Sequence, residues 1–236
     1  WDVILETMFV ENQPFLKKEL YYLLHESNKR DRWENAIIEH TVGCPPPYFG
    51  YLKSSGNLIH HAYHLAQFED KAGLDVSNLD VVFEFGGGYG SMRRLFANLN
   101  FKGKYIIFDL LIFSAIQKYY LNSINEHDDT IYVTDLADLK SALLGVLDKR
   151  QKSLFVATWS LSESPASVRD AIVQFLPSFD YVLFAYQKRF GEMENLNYFS
   201  DFPETYKTHQ WHQWEIKHLP ENYYLVGQRN DYDNHL

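Results

Sequence analysis

Short apolar runs alternate with amphipathic stretches from residue 79 onward, and this alternation predicts strands and helices in turn. Runs rich in β-branched and aromatic residues indicate buried strands, and apolar residues three or four positions apart indicate the helices between them. The expected strands are residues 81–85, 105–109, 131–133, 154–158 and 181–186. Because strands that alternate with helices form a parallel sheet covered on both faces, the pattern predicts an α/β domain.

The two ends of the chain depart from this alternation. Near the C-terminus, residues 211–216 and 223–228 lie on either side of a turn and predict an antiparallel hairpin. Before the first strand, helical spacing of apolar residues predicts two helices, at residues 14–30 and 58–71. We therefore expect a helical N-terminal cap over residues 1–78, laid over an α/β domain at residues 79–236.

The most informative stretch is the glycine-rich loop after the first expected strand. Glu84 precedes it, and Gly86, Gly88 and Gly90 recur at every second position. About twenty residues further on, Asp109 ends the second apolar run, at the spacing that delivers a carboxylate to ribose hydroxyls. Since ligands of open α/β sheets bind beyond the carboxyl ends of the strands, the two features predict one nucleoside-binding crevice.

The spacing of the glycines distinguishes two classes of nucleoside cofactor. A dinucleotide loop needs G-x-G-x-x-G, but Ser91 or Arg93 stands where its third glycine would be. An acid followed by glycines at every second position is the pattern of an S-adenosylmethionine loop, which cradles no pyrophosphate. Glu84 would then lie near the amino group of the methionine part. A C-terminal hairpin that closes a parallel sheet also favours a methyltransferase sheet over an NAD domain.

Further cofactor contacts are expected at the ends of the neighbouring strands. Thr134 and Asp135 follow the third strand and would face the adenine edge, although Asp135 suits the cap of the next helix equally well. Thr158 ends the fourth strand, where the methyl group and its acceptor should meet. The expected cofactor-binding residues are Glu84, Gly86, Gly88, Tyr89, Gly90, Asp109, Leu110, Thr134, Asp135 and Thr158.

Several stretches together resemble one known family of enzymes. Residues 83–90, 105–110, 117–121 and 157–163 look like the sugar O-methyltransferases of bacterial polysaccharide and glycan gene clusters, and the resemblance covers roughly residues 35 to 228. It implies a Rossmann-like methyltransferase fold with a mostly parallel, seven-stranded sheet. It also implies S-adenosylmethionine as cofactor and a sugar or glycoside hydroxyl as acceptor, in polysaccharide biosynthesis.

Methylation of a sugar hydroxyl requires a general base, because the hydroxyl is a poor nucleophile until its proton is removed. Our base hypotheses are His61 in the second cap helix and Glu163 after the fourth strand. His60 and His64 share a helix face, but they lack a nearby Cys and an H-E-x-x-H pattern, so no metal site is predicted. Acceptor contacts are expected from Trp159, Tyr186, Trp211 and His64.

Composition narrows the range of partners. The 22 Lys and Arg against 31 Asp and Glu give a net charge of -9, which disfavours nucleic acid as the main ligand. Aromatic residues make up 17% of the chain, and this suits an acceptor whose sugar rings present apolar C–H faces. The single Cys44, the interrupted N-terminal apolar run and the lack of a run of ~20 apolar residues predict a cytoplasmic protein without a membrane span.

Two other functions are compatible with the same residues. One is a methyltransferase that acts on another small molecule, such as a polyketide or a phenolic compound. The other is a protein that binds S-adenosylmethionine without catalysis and serves as a partner subunit. A homo-oligomer is compatible with each of these functions.

Overall fold

The structure is a computed structural model that describes residues 10–126, 128–147 and 151–230. Parts of both predicted units, residues 1–9 and 231–236, lie outside the described residues. From residue 10 to residue 78, the α-helices and strands are α1 (Leu16–Tyr21), α2 (Arg30–Ala36), β1 (Pro47–Tyr48), β2 (Tyr51–Ser55) and α3 (Gly56–Ala72). In the described part of the chain, we find no helix that is both long and apolar enough to cross a membrane.

The helix expected over residues 14–30 is interrupted. After α1 the chain forms a π-helical turn, Tyr22–Glu26, and leaves the helical conformation at Ser27, where ψ is 136°. The Ser27 hydroxyl donates a hydrogen bond to the Leu23 carbonyl, and such side-chain bonds compete with continuation of a helix. A second helix, α2, then begins at Arg30. The helix expected at residues 58–71 is confirmed as α3, with Ser55 as its N-cap and Gly73 in the left-handed conformation at its C-terminus.

Strands and helices alternate through the central part, as predicted. The elements are β3 (Val81–Phe85), α4 (Ser91–Asn98), β4 (Lys104–Phe108), α5 (Leu111–Ser123), β5 (Thr130–Val133), α6 (Leu136–Val146), β6 (Ser153–Thr158), α7 (Ser160–Glu163), α8 (Ala166–Val173) and β7 (Tyr181–Gln187). The C-terminal elements are β8 (Arg189–Phe190), β9 (Met193–Glu194), α9 (Asn195–Ser200), α10 (Phe202–Thr205), β10 (His209–Glu215) and β11 (Asn222–Arg229).

The central sheet has seven strands in the order β10-β11-β7-β6-β3-β4-β5. The five strands from β5 to β7 are parallel, and β11 pairs antiparallel with both β7 and β10. The mostly parallel sheet and the closing hairpin are therefore confirmed. The order reverses between β3 and β6, and the carboxyl ends of the strands beside such a switch point form the usual ligand crevice.

Alternate residues of each strand face opposite sides of the sheet and form two cores. On one side, Val82 and Leu183 pack with α4, α5 and the cap helix α3, which contributes Leu58 and Phe68. On the other side, Phe83 packs with residues of α6, α8 and α9. The cap thus shares a continuous apolar core with the sheet, and α3 takes the place of a helix that covers one of its faces.

Ion pairs that involve buried or nearly buried acids attach the rest of the cap. Arg94 on α4 binds the Glu39 carboxylate and the Ile38 carbonyl, and both charged side chains are almost fully buried. Glu69 on α3 accepts hydrogen bonds from Lys29 and from both terminal nitrogens of Arg32 at 2.8–3.0 Å. These contacts fix the orientation of α3, and α3 carries the histidines that the sequence singled out.

Candidate functional site

A cavity of about 470 Å³ opens where the carboxyl ends of β3, β4 and β6 meet the cap. The strand ends supply one wall, which includes the glycine loop. The second wall comes from α3 of the cap and from the segment between β10 and β11. The cavity thus combines the acidic residues and glycines of the strand ends with the histidines and asparagines of the second wall.

The glycine loop turns sharply between β3 and α4. Gly86 has a φ of 81°, a conformation that side chains disfavour, and a Cβ atom there would stand 2.3 Å from the Ser160 Cβ. Gly88 also has a positive φ, of 54°, but a Cβ atom there would meet nothing within 4 Å in the described part of the chain. The loop therefore packs tightly against the residues after β6 at Gly86 and remains open to the cavity at Gly88.

Glu84 is the acid that precedes this loop, and it is 3% exposed. Its Oε2 accepts a hydrogen bond of 2.9 Å from the Tyr105 hydroxyl. Burial raises the pKa of Glu84 to about 8, and the nearby charge of Asp109 adds to the rise, against the opposing effects of Tyr105 and Arg93. A cation that entered the cavity would thus meet a carboxyl group that lacks a strong counter-charge.

Asp109 follows β4 at the edge of the cavity and is held in place by several donors. The Leu110 backbone N–H donates to Oδ1, and Gln117 Nε2 donates to Oδ2, both at 2.8 Å. Gln117 Nε2 also donates to the Gly88 carbonyl at 3.0 Å, so one buried side chain on α5 joins the carboxylate to the glycine loop. Burial raises the pKa of Asp109, although these hydrogen bonds oppose the rise.

The α3 wall carries His60 and His61, and both line the cavity. Burial lowers the pKa of His61 to about 3, and the charge of His60 contributes to the fall. His61 Nδ1 is buried without a hydrogen-bond partner in the described chain. His60 differs because its Nδ1 lies 2.9 Å from both carboxylate oxygens of the buried Glu19.

Trp159 forms the corner between the two walls. It has a φ of 62° and a ψ of -37°, a strained conformation for a bulky residue, and such strain is found mainly at functional sites. Its indole N–H donates to Asn222 Oδ1 at 2.9 Å, and its ring stacks on His60 with a centroid distance of 5.1 Å. The strand end, the hairpin and the cap therefore meet at this side chain.

Searches of protein-family models and of curated proteins each give no match to this sequence. Solved structures do match in three dimensions. The methyltransferase domain of bacterial CtHen1-C is 12% identical, with a TM-score of 0.53 over 74% of this chain and 98% of that one. Precorrin-6y C5,15-methyltransferase from Geobacter metallireducens is 11% identical, with a TM-score of 0.53 over 83% of this chain and 98% of that one.

The chain has the methyltransferase fold. Thermoplasma acidophilum 1320 is a further match, with 9% identity and a TM-score of 0.51 over 87% of this chain and 99% of that one. At these identities the likeness concerns the fold alone. The predicted fold class is thereby confirmed, and the acceptor has to be argued from the cavity itself.

Within the methyltransferase fold, the cavity gathers many of the residues that the sequence singled out. Both base hypotheses, His61 and Glu163, line it together with Trp159. Six of the expected cofactor-binding residues also line it: Glu84, Gly86, Gly88, Tyr89, Asp109 and Thr158. These residues come from β3, β4, β6 and the segments that follow them, which the sheet order brings to one edge.

Four other expected cofactor residues do not line the cavity. Gly90 is the N-cap of α4, and Asp135 caps α6 by accepting a hydrogen bond of 2.7 Å from the Ala137 N–H. The alternative interpretation of Asp135 as a helix cap is thus the one that the structure shows. Leu110 and Thr134 are exposed just beyond β4 and β5.

Three of the expected acceptor contacts are placed elsewhere, so we correct them. Tyr186 is fully buried against Phe199, with a ring distance of 4.1 Å, because it faces the core on β7. Trp211 packs on that same side of the sheet, and its indole N–H donates to the Tyr206 carbonyl. His64 is also fully buried, and its Nδ1 contacts the Tyr224 hydroxyl behind the cavity wall.

Glu163 stands at the outer rim of the cavity on α7. Its Oε1 accepts a long hydrogen bond of 3.3 Å from Gln187 Nε2. Partial burial raises the pKa of its carboxyl group, against the effect of that hydrogen bond. Among the described residues, no group of three His, Cys, Asp or Glu side chains is arranged to hold a metal ion.

Sequence reasoning missed several polar residues of the site. Gln117 begins one of the stretches that carry the family resemblance, but nothing in the sequence connects its side chain with Asp109, and Glu19 lies far from α3 in the sequence. Asn57 and Asn222 line the cavity from the start of α3 and the start of β11. Their roles depend on which elements meet in space, and no motif in the sequence marks them.

Proposed function

We propose that this protein is an S-adenosylmethionine-dependent O-methyltransferase that acts on a hydroxyl of a sugar or glycoside. One observation carries the proposal: a single cavity joins the acid-preceded glycine loop and Asp109 to a wall of histidine and tryptophan side chains. The first group of residues suits the cofactor, and the second suits an acceptor that must lose a proton. The fold is compatible with this chemistry.

The residues of the strand-end wall fit S-adenosylmethionine in their chemistry. Its amino group is cationic, and the buried Glu84 forms no ion pair with the cations that the structure describes. Asp109 lines the cavity as a carboxylate, the type of group that accepts hydrogen bonds from ribose hydroxyls. The open side of Gly88 leaves room for the methionine part, and Leu110 with Thr134 would border the adenine.

The acceptor wall suits a polyhydroxylated ligand. Trp159 offers an aromatic surface, while Asn57, Asn222 and Glu163 offer hydrogen-bonding groups around it. Sugar rings combine apolar C–H faces with hydroxyl groups, so they match such a mixed surface. We propose that Glu163 binds an acceptor hydroxyl at the rim and that Trp159 orients the ring and excludes water.

When bound, S-adenosylmethionine supplies a methyl group on a sulfonium ion. The chain has to position the acceptor oxygen in line with that group, and positioning alone can contribute effective molarities of ~10⁵ M or more. A base that lines the cavity then takes the hydroxyl proton, which contributes about 10²- to 10⁴-fold in rate. His61, Glu163 and the neighbouring His60 are the titratable side chains of the cavity that are placed for this role.

The cofactor assignment is tested by calorimetric titration of the purified protein with S-adenosylmethionine and S-adenosylhomocysteine. We expect binding, and we expect Asp109→Asn to weaken it about 10- to 100-fold because hydrogen bonds to a charged acceptor are lost. Asp170→Asn, a change of an exposed acid on α8, serves as the control and should bind like the parent. A folded parent protein that binds neither ligand would refute the proposal.

The acceptor class needs a separate assay. The protein is incubated with S-adenosylmethionine and with sugar nucleotides, glycosides, phenols, polyketides or RNA, and the masses of the products are measured by mass spectrometry. A mass gain of one methyl group on a sugar hydroxyl is expected. Methylation of a phenol, a polyketide or RNA with all sugars unchanged would retain the enzyme class but contradict the sugar assignment. Cofactor binding without turnover on any class would instead favour a non-catalytic subunit.

A further inference from the structure

A buried carboxylate links the cavity wall to two other parts of the molecule. Glu19 on α1 is completely buried, and both its oxygens lie 2.9 Å from His60 Nδ1. His218, between β10 and β11, places its Nε2 2.9 Å from Glu19 Oε1. One carboxylate therefore holds two imidazole rings, and one of these rings belongs to the cavity wall.

These partners determine which ring nitrogen of His60 carries the proton. Burial on its own would raise the pKa of Glu19, but the charges and hydrogen bonds of His60 and His218 hold it below its ordinary value. Glu19 is thus ionised near neutral pH, and an ionised carboxylate can only accept hydrogen bonds. His60 must donate from Nδ1, and the neutral ring then has its lone pair on Nε2.

The ring of His60 is also held in one orientation. Trp159 stacks on it with an interplanar angle of 28°, and Phe15 packs against it with a centroid distance of 5.2 Å. His60 is only 5% exposed, and it is one of the residues that line the cavity. A base whose tautomer and rotamer are both fixed by neighbours is pre-organised for proton transfer.

His61 has no comparable support. Its Nδ1 is buried without a partner in the described chain, so its tautomer is not imposed by a carboxylate. Its burial also disfavours the imidazolium ion that proton transfer would create. Of the two adjacent histidines, His60 is therefore the better base, and we revise the hypothesis that rested on His61.

We propose that His60 is the general base of the methyl transfer and that Glu19 is the positioning residue that fixes its tautomer. The inference rests on the proposed function. In the methyl-transfer step, the acceptor oxygen forms a bond to the methyl carbon while the carbon–sulfur bond breaks, and the sulfur keeps the electron pair of the broken bond. The hydroxyl proton moves to Nε2 of His60, and the charge of Glu19 stabilises the resulting imidazolium.

Kinetic measurements on substituted proteins test the base. With an acceptor that the parent methylates, His60→Gln should lower kcat at least about 100-fold while the dissociation constant for S-adenosylmethionine stays within about twofold. Imidazole in the buffer should restore part of the rate to His60→Ala. His25→Gln, a change of an exposed cap histidine, is the matched control and should retain the parent rate. Parent-like kcat in His60→Gln would overturn the inference and leave the proposed function intact.

The positioning role of Glu19 has its own readout. Glu19→Gln should lower kcat about 10-fold or more with an unchanged KM for the cofactor, because an amide no longer imposes the Nδ1–H tautomer. Glu19→Asp should recover part of the loss. Glu26→Gln, a change of an exposed acid in the same cap segment, is the control and should have no effect. A fall in stability with kcat preserved would assign Glu19 a purely structural role.

Nitrogen-15 NMR of the imidazole rings tests the same inference without any acceptor. In the parent protein at neutral pH, His60 should show a protonated Nδ1 and an unprotonated Nε2, and Glu19→Gln should shift this balance. A neutral His60 with the proton on Nε2 would overturn the inference. Failure of the parent to bind S-adenosylmethionine would instead refute the proposed function, so the two failures are distinguishable.

Discussion

Two buried acids near the cavity differ in protonation state, because neighbours determine the pKa of one and burial determines the pKa of the other. Glu19 meets two imidazole rings, and these keep the pKa of its carboxyl group below the ordinary value. Glu84 is buried near another acid, Asp109, and the pKa of its carboxyl group rises to about 8. The two glutamates therefore suit different roles. The ionised Glu19 can orient a histidine ring, and the protonated Glu84 lies in a cavity where it could become the counter-charge of a bound cation.

Glu84→Gln tests the raised pKa through the pH dependence of stability. Because the folded protein holds a proton on Glu84 between pH 4.5 and about 8 that the unfolded chain releases, the parent loses stability as pH rises through that window. Glu84→Gln lacks this loss of stability, because a glutamine side chain has no proton to release in this pH range. Relative to the parent, its free energy of unfolding should therefore increase from pH 5 to pH 9, by an amount on the order of a few kcal/mol.

Urea unfolding of the cofactor-free proteins at several pH values provides the measurement. Glu204→Gln, a change at a highly exposed acid, is the control and should follow the pH profile of the parent. A constant difference between Glu84→Gln and the parent from pH 5 to pH 9 would show that Glu84 has an ordinary pKa.

At the level of elements, the site is assembled where strands end. The chain leaves β3 through the glycine loop, leaves β4 at Asp109 and leaves β6 through the strained Trp159. The loop and the residue after Trp159 also touch, because Gly86 packs directly on Ser160. The geometry of one strand end therefore depends on that of its neighbour.

Gly86→Ala tests this close contact. The φ of 81° disfavours any side chain, and the added methyl group would meet the Ser160 Cβ at 2.3 Å. We expect a loss of about 2 kcal/mol or more in the free energy of unfolding, together with weaker binding of S-adenosylmethionine. Urea unfolding and calorimetric titration measure the two effects.

Gly145→Ala is the matched control for that substitution. It lies in α6, and no atom in the described part of the chain is within 4 Å of the added methyl group. Removing a glycine from a helix should stabilise the protein by about 0.5–1 kcal/mol. If both substitutions had the same effect, the contact between the glycine loop and Ser160 would not be the cause.

At the level of the whole molecule, the cap and the sheet form one body around the cavity. Leu58 and Phe68 of α3 belong to the same core as Val82 of β3, so the cap is not a free lid. The buried Glu69 adds an ionic connection from α3 to the segment that contains α2. The position of His60 over the strand ends therefore depends on contacts far from the cavity.

Glu69→Ala should destabilise the protein by about 1–3 kcal/mol, because Lys29 and Arg32 lose a buried hydrogen-bond acceptor and keep only the partly exposed Asp75 as a partner. Chemical unfolding followed by circular dichroism measures the change. Glu34→Ala removes a solvent-exposed i,i+4 partner of Arg30 and is the control, with an expected effect below about 1 kcal/mol. Equal effects of the two substitutions would contradict a structural role for the buried acid.

The strands of the sheet were predictable because local pattern decides them. Residues 81–85 and 154–158 are apolar runs, and the observed β3 and β6 differ from them by at most one residue at either end. The break between α1 and α2 was not predicted, since it depends on a single serine within a helical pattern. Tyr186 and Trp211 were misplaced because aromatic residues near strand ends can face either the core or the cavity.

The sequence by itself determined the order of elements, the glycine loop and the spacing from that loop to Asp109, because these depend on neighbours along the chain. Only the tertiary structure decided which histidine meets a carboxylate. Glu19, His60 and His218 are far apart in the sequence, and the packing of the cap against the sheet and hairpin brings them together. The charge of Glu19 follows from its two imidazole neighbours, whose effect outweighs that of burial, and both are properties of the folded molecule alone.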